Sequence, residues 1–477
     1  MRRSWTIPLP LFCAAVLAAA APASHAGPTT EPSTHELLDR IRALEAEVRD
    51  LKAHRPETAP VPPPPATQAT APGPRANLPT DAAADAVLRD AERRSRLVGA
   101  PAGFTAGYLP DRGFILRSED GNFLFHPWAY VQVRNTTTYR EDGKRGTDSD
   151  LQSGFELRRA KFILDGNAFS PDLTYQFVWA TDRKTGGLNL EEGWVRYQIP
   201  NSPFAVRAGQ IRDPLDHEQI IVGSRLFAAD RSLADDVLAA GEGTVQGVSL
   251  GYARGPVRAE FAVSDGLRSA NTNFQDFPTT AGDWGVAGRV EYKVTGSWED
   301  YRDFTALGDA EPLLVFGAGA DYTEAGDTGS LVHVADVDYE GPSGLSLYAA
   351  YLGRYVRHNG QPPGSNGGAT GTGPTADTYD ATFRAQAGYV IDGRWEPFVR
   401  YEYLYFDPAG LPATVSHSPV HALTAGVNYY LYRHRAKFTA DMVYLPNGSP
   451  VADDGAGILA NRGEPELLFR AQFQLAL

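Results

Sequence analysis

The chain has 477 residues, 21% of them charged and 11% aromatic, with Lys+Arg 44 against Asp+Glu 58 and a formal net charge of −14. No basic stripe marks a nucleic-acid site, and the single cysteine, Cys13, excludes a disulfide framework. No stretch reaches the roughly 18 uncharged apolar residues of a spanning helix, a property that soluble proteins share with transmembrane β-barrels.

Residues 1–26 read as a secretory signal. Arg2 and Arg3 are its positive start, Leu9 to Ala21 its apolar core, and Ser24 and Ala26 the small residues before a cut after Ala26. Cys13 lies inside this segment, so the exported chain carries no thiol. Residues 27–54 form an amphipathic helix: Ser33 and Glu36 fit a capping box, and Leu37, Ile41, Leu44, Val48 and Leu51 recur at spacings of four and three. About two heptads serve either a short coiled coil or a helix lying on its own domain. Residues 55–79 are a stiff Pro/Ala-rich linker with the run Pro62 to Pro65. Residues 80–103 hold a second short helix, ending at Gly99 with Pro101 beyond, and a connection.

From residue 104 the period changes to two. Leu173, Tyr175, Phe177 and Trp179 alternate with Thr174, Gln176 and Ala180, and Tyr379, Ala381 and Phe383 with Asp380, Thr382 and Arg384. About sixteen such segments fill residues 104–477, roughly 23 residues each with its connection, a porin-like allotment. Short connections near 166–172, 199–203 and 253–256 alternate with long ones near 139–153, 212–244 and 264–283. A sandwich has no reason to sort loop length by end, whereas a barrel with tight turns at one rim and long loops at the other does. Trp128, Tyr130, Trp179, Tyr403, Tyr405, Tyr429 and Tyr430 suit interfacial girdles. The reading is an all-β transmembrane antiparallel barrel behind a helical arm.

The stretch FELRRAKFILDG (155–166) fixes what such a barrel encloses. Ala160, Phe162, Leu164 and Gly166 share one face, assigned to lipid, and Arg159, Lys161, Asp165 and Asn167 share the other. Cations on a sheet face need water, so the second face lines a wet lumen. Arg158 falls on the lipid side near the strand end, where it would snorkel to the headgroups.

At these residues the chain resembles the phosphate-selective porin O and P family of Gram-negative outer membranes. LRRAKFILDG (157–166), LEEGWVRYQIP (190–200), VRAGQIRDPL (206–215), SRLFAADRSL (224–233) and GVNYYLYRHRAKFTAD (426–441) run in family order. The resemblance implies a sixteen-stranded trimeric barrel whose third long loop, here 213–243, folds inward and narrows the pore. Carried over by position, Arg159, Lys161, Arg207, Arg225 and Arg231 are candidates for the constriction, and Arg289, Lys293, Arg400 and Lys437 join them as pore-lining candidates. The acidic balance departs from the cationic path that phosphate selectivity needs, so the expected cargo is small hydrophilic solutes, with anions such as phosphate one option.

Gly247-Val-Ser249-Leu-Gly251 matches a hydrolase elbow, yet it sits mid-strand. The histidines show no paired ligand spacing and no EF-hand loop appears. The expectation is therefore no enzyme, no cofactor and no metal. It is an outer-membrane diffusion channel with lipid around it, a homotrimeric assembly and the arm in the periplasm, where it can reach peptidoglycan. The alternative is a structural protein that ties the outer membrane to the cell wall through that arm.

Overall fold

The computed structural model describes residues 103–477 apart from 110–112, 141–150, 240–242, 268, 273–282, 309–310, 327, 359–375, 411–418, 451–452, 454 and 460–463. The signal, helix and linker expected before residue 103 lie outside the described residues.

The alternating runs form strands because β-branched and aromatic side chains pack well on a pleated, half-buried surface. β1 (Phe104–Leu109) and β2 (Gly113–Ser118) make a hairpin. They are followed by β3 (Leu124–Arg140), β4 (Leu151–Asn167), β5 (Leu173–Thr181), β6 (Leu188–Gln198) and β7 (Phe204–Arg212). Then come β8 (Thr244–Arg254), β9 (Val257–Ser264), β10 (Trp284–Thr295), β11 (Leu313–Ala325), β12 (Thr328–Glu340) and β13 (Leu345–His358). β14 (Thr378–Tyr389), β15 (Trp395–Tyr405), β16 (Val420–Tyr432), β17 (Ala436–Leu445) and β18 (Glu466–Ala476) complete the order. From β3 onward each strand pairs antiparallel with the next, and β18 returns to β3 from Glu466↔Arg140 to Ala476↔Tyr130. Sixteen strands thus close into a barrel without a free edge. Among the described residues the hairpin's strand pairing with this ring is Leu116↔Phe125 and Arg117↔Leu124.

The two faces separate as period two requires. Phe162, Leu250, Phe383 and Val399 are 56%, 46%, 44% and 52% exposed on the outside, while Gln132, Arg134, Thr424 and Asn428 on the inside are fully buried. Trp395 and Tyr429 pack together at the short-turn rim, with ring centroids 4.5 Å apart. Tyr401, Tyr403 and Tyr405 stand outward near the opposite rim, the banding of a barrel in a bilayer. Three of the expected girdle residues face inward instead. Trp128, Tyr130 and Tyr430 share the parity of the lumen residues Gln132 and Asn428.

One further departure has a physical cause. The register shifts between Gln132 and Val133, which pair with Arg159 and Leu157, so Arg158 is an extra residue in a β-bulge. The bulge turns Arg158 into the lumen rather than toward lipid, and its Nε donates to Asp230 at 2.7 Å. The loop-length alternation, read from the connections up to residue 283, holds there and stops at β11. The link from β11 to β12 at the long-loop rim is only two residues, while the connection from β10 to β11 at the short-turn rim runs over residues 296–312.

Candidate permeation pathway

After β7 the chain leaves the wall and runs inside the barrel. This third long loop is described over residues 213–239 and again at Gly243. It carries α1 (His217–Ile220), a 3-10 turn (Gly223–Arg225) and α2 (Leu233–Leu238). Ser232 caps α2 by accepting from Asp235 N at 3.1 Å. One flank of the loop is apolar. Leu215, Ile221, Leu226 and Phe227 pack on Val332, Val334, Leu352 and Phe398, and Leu233 and Leu238 pack on Leu404, Val420, Val443 and Leu468. Each fully buried side chain of this size contributes about 1.5–3 kcal/mol. The inner wall at β12–β13 and β15–β18 is therefore dry beneath the loop, not uniformly wet. Gly319 makes the close approach possible at β11, because a Cβ there would lie 2.1 Å from the Leu215 carbonyl oxygen.

The other flank is held by cations from the wall. Asp230 receives Arg134 at 2.9 Å, Arg158 at 2.7 and 3.0 Å and Arg159 at 2.6 Å. Burial alone would raise the Asp230 carboxyl; Arg158, Arg159 and Arg134 overcome that and hold it well below the usual carboxylate range. On the opposite side Arg384 donates to Asp216 at 2.7 Å and to Ser232 at 2.9 Å, and pairs with Glu218 at 2.8 Å. Burial pushes His217 of α1 well below its ordinary value, with Arg289 and Arg384 adding to the effect.

The nine candidates divide accordingly. Arg159, Arg231, Arg289, Arg400 and Lys437 point inward but are buried as anchors of the loop. Arg231 donates to the Ile221 carbonyl at 2.7 Å, Arg400 to the Asp230 carbonyl at 3.0 Å and Lys437 to the Leu226 carbonyl at 2.7 Å. Arg289 grips Asp336 twice at 2.8 Å and reaches the Leu215 carbonyl at 3.2 Å. Lys161 is buried against Glu191 at 2.6 Å. Arg207, paired with Glu260 at 2.5 Å, Lys293 and Arg225 keep contact with water. Arg134, Arg384 and Arg470 were missed, although all three occupy inward positions of alternating strands.

A second segment also enters the lumen, from the short-turn rim. Tyr301 and Phe304 are buried, and the Tyr301 ring lies parallel to His217 at 3.8 Å. Asp303 stands 3.5 Å from Arg225 and 3.4 Å from His434, and Arg433 donates to the Leu307 carbonyl at 2.7 Å. Its run of Tyr301, Phe304 and Leu307 in a connector was the signal for a buried loop.

Water-accessible polar side chains remain along the inner face of β4 to β10. Arg196 pairs in register with Arg207, and Arg258 lies 4.2 Å over the Trp298 ring. Glu156, Glu260 and Glu291 each have an arginine partner. Among the described residues Arg196, Arg258 and Lys293 have no carboxylate at ion-pair distance, against one half-exposed acid, Asp165, which faces His126. Ser249 sits mid-strand and donates to Glu260 at 2.5 Å, without the strand-to-helix turn of a hydrolase elbow. Among the described residues no three His, Cys, Asp or Glu side chains gather as a metal centre requires.

A closed sixteen-stranded ring, apolar outside and charged inside, is an outer-membrane channel barrel. The family model for phosphate-selective porin O and P matches residues 131–445, and the chain belongs to that family. The anion-selective porin from Comamonas acidovorans is a similar solved structure, at 14% identity and a TM-score of 0.51, covering 74% of this chain and 100% of its own. Pseudomonas putida OprB (10% identity, TM-score 0.48) and the channel DcaP of Acinetobacter baumannii (12%, 0.47) also align. Each covers 75% of this chain, and 95% and 99% of its own. No curated protein sequence matches the chain.

Proposed function

We propose that the protein is a passive diffusion channel for small hydrophilic solutes, narrowed by residues 213–243, with a preference for anions. The observation that carries this reading is the division of the lumen. The loop is clamped onto the β11–β18 side, onto β3 and β4 through Asp230 and onto Arg289 of β10, and the path left beside it along β5–β10 presents Arg196, Arg258 and Lys293, which among the described residues have no carboxylate at ion-pair distance. An unpaired cation at a low-dielectric wall concentrates permeating anions. Asp216, Glu218 and Asp230 of the loop are paired with wall arginines, so the net negative charge of the chain does not by itself decide the field along the path.

The outer wall supports a trimer. On β7 the outward apolar band runs from Phe204 to Ala208 before Gln210 ends it, about 14 Å of strand and ~10 Å of bilayer depth at a tilt near 40°. On β13 it runs from Leu345 to Tyr355, about 34 Å of strand and ~26 Å of depth. The first cannot cover a hydrocarbon layer about 25 Å tall, which is the mark of a face turned to sister subunits.

The test is the reversal potential of purified protein in a planar bilayer under a KCl gradient. The wild type should favour chloride, and Arg196→Glu with Arg258→Glu should move the potential toward cation preference. Cation preference in the wild type would overturn the anion reading, and absence of conductance would overturn the channel.

A further inference from the structure

Two strands of the pathway carry an ion pair that does not form. Arg258 of β9 and Glu291 of β10 are directly opposite each other in the ladder, and both stand on the inner face. Opposite charges so placed attract and ordinarily pair. Here Glu291 accepts instead from Arg289 of its own strand at 2.7 Å. The Arg258 guanidinium lies over the Trp298 ring, 4.2 Å from its centroid. Lys293, the next inward residue after Glu291, has its ammonium 5.4 Å from the same centroid and donates to the Gly296 carbonyl. One indole thus engages two cations.

The indole is itself held from two sides. Its Nε1 donates to the Gly255 carbonyl, in the turn between β8 and β9, at 3.1 Å. The ring packs on Tyr301, Leu313 and Val315, with Tyr301 edge-on at 5.8 Å. Glu299, the acid that follows Trp298, is engaged by Arg302 at 2.8 Å. A ring face attracts a cation through its quadrupole but carries no net charge. A guanidinium resting on indole therefore keeps its field, whereas one resting on a carboxylate has most of it cancelled.

We propose that Trp298 is a specificity-determining residue of the permeation path: its ring keeps Arg258 and Lys293 off Glu291 and leaves their charge to passing anions. It is a positioning residue, acting through the two cations. The assignment rests on the anion-channel reading and names a side chain that sets the preference. Without the ring, Arg258 falls onto the carboxylate opposite it. Loss of a cation–π contact at a water-accessible site shifts the balance between free and paired guanidinium by roughly two- to fivefold.

The experiment is a double-mutant cycle read as the reversal potential of the purified full chain in a planar bilayer under a KCl gradient. Barrel closure of each variant is checked by the shift in gel mobility on boiling. Trp298→Leu, which keeps an apolar side chain against Tyr301 and Leu313, should move the potential away from chloride preference with conductance retained. Trp298→Phe, which keeps a ring, should hold most of the preference. In a Glu291→Gln background, where no carboxylate waits for Arg258, Trp298→Leu should leave the potential where Glu291→Gln alone puts it. A wild-type potential in Trp298→Leu would overturn the assignment, as would an equal shift in both backgrounds or a Trp298→Phe variant no better than Trp298→Leu. Those results in a chloride-preferring wild type sink the role of Trp298 alone. A wild type that prefers potassium, or conducts nothing, sinks the anion-channel reading and this inference with it.

Discussion

Replacing Asp230 by asparagine keeps the shape of the loop at its most heavily anchored point while removing the charge. Asp230 is fully buried and accepts from Arg134, Arg158 and Arg159. Glu156 remains beside Arg134 and Arg183, whereas Arg158 loses the carboxylate its guanidinium grips in the wild type. Breaking a buried ion pair by removing one partner costs about 3–5 kcal/mol, because the other charges stay desolvated. If that cost falls on the seated loop, the ratio of seated to displaced loop drops by roughly two to nearly four orders of magnitude. Hydrogen exchange of residues 216–239 should accelerate accordingly, and single-channel records should gain a higher-conductance state. The same residue sets an acid limit. Its folded carboxyl lies well below the ordinary value, so its contribution is complete above the unfolded value near ~3.9 and is lost only as pH falls through the depressed one. A wild-type loop that loosens between pH 7 and 5, or an Asp230→Asn variant with unchanged exchange in an intact barrel, would refute the anchoring role.

Other consequences follow from single contacts. Gly319→Val places a side chain where the Leu215 carbonyl sits, so it should speed exchange at 216–239 while leaving the boiled-to-unboiled gel shift intact. Phe162→Arg, on the lipid face, should cost the barrel about 2–4 kcal/mol if it lies near mid-bilayer. Lys161→Met should cost less, because Glu191 keeps Arg212 at 3.0 Å; urea unfolding in lipid vesicles ranks the two. Ser249→Ala removes only a hydrogen bond to Glu260, and conductance should stay at the wild-type value.

The inside and outside of this barrel were legible because strand parity survives without knowledge of pairing: Arg159 and Lys161 point inward and Phe162 outward, as period two requires. Parity fails where one strand carries an extra residue, and nothing in LRRAKF reveals that its partner skips Arg158. Parity also cannot distinguish an inward cation that meets water from one that meets a loop. Arg400 and Lys437 read as pore lining, yet their donors go to the Asp230 and Leu226 carbonyls. Arg384 was visible as an inward residue among Asp380, Thr382 and Gln386, but its role depends on Asp216 and Glu218, which lie more than 160 residues earlier. The girdle reading of Trp128 and Tyr130 failed for a related reason. Aromatic residues near a strand end serve an interface only on the outer face, and both stand on the inner one, Trp128 donating to Asp165 at 2.9 Å.

The most direct measurement uses the chain's lack of cysteine beyond residue 13. Single cysteines at Val195 and Arg196, adjacent on β6 but on opposite faces, are treated in a bilayer with a charged, membrane-impermeant thiol reagent during current recording. Cysteine at 196 should react quickly and step the current down, while cysteine at 195 should stay unreacted with the current unchanged. Equal labelling at both positions, or reaction at 195 alone, would contradict a barrel that meets hydrocarbon with one face of each strand and encloses water with the other.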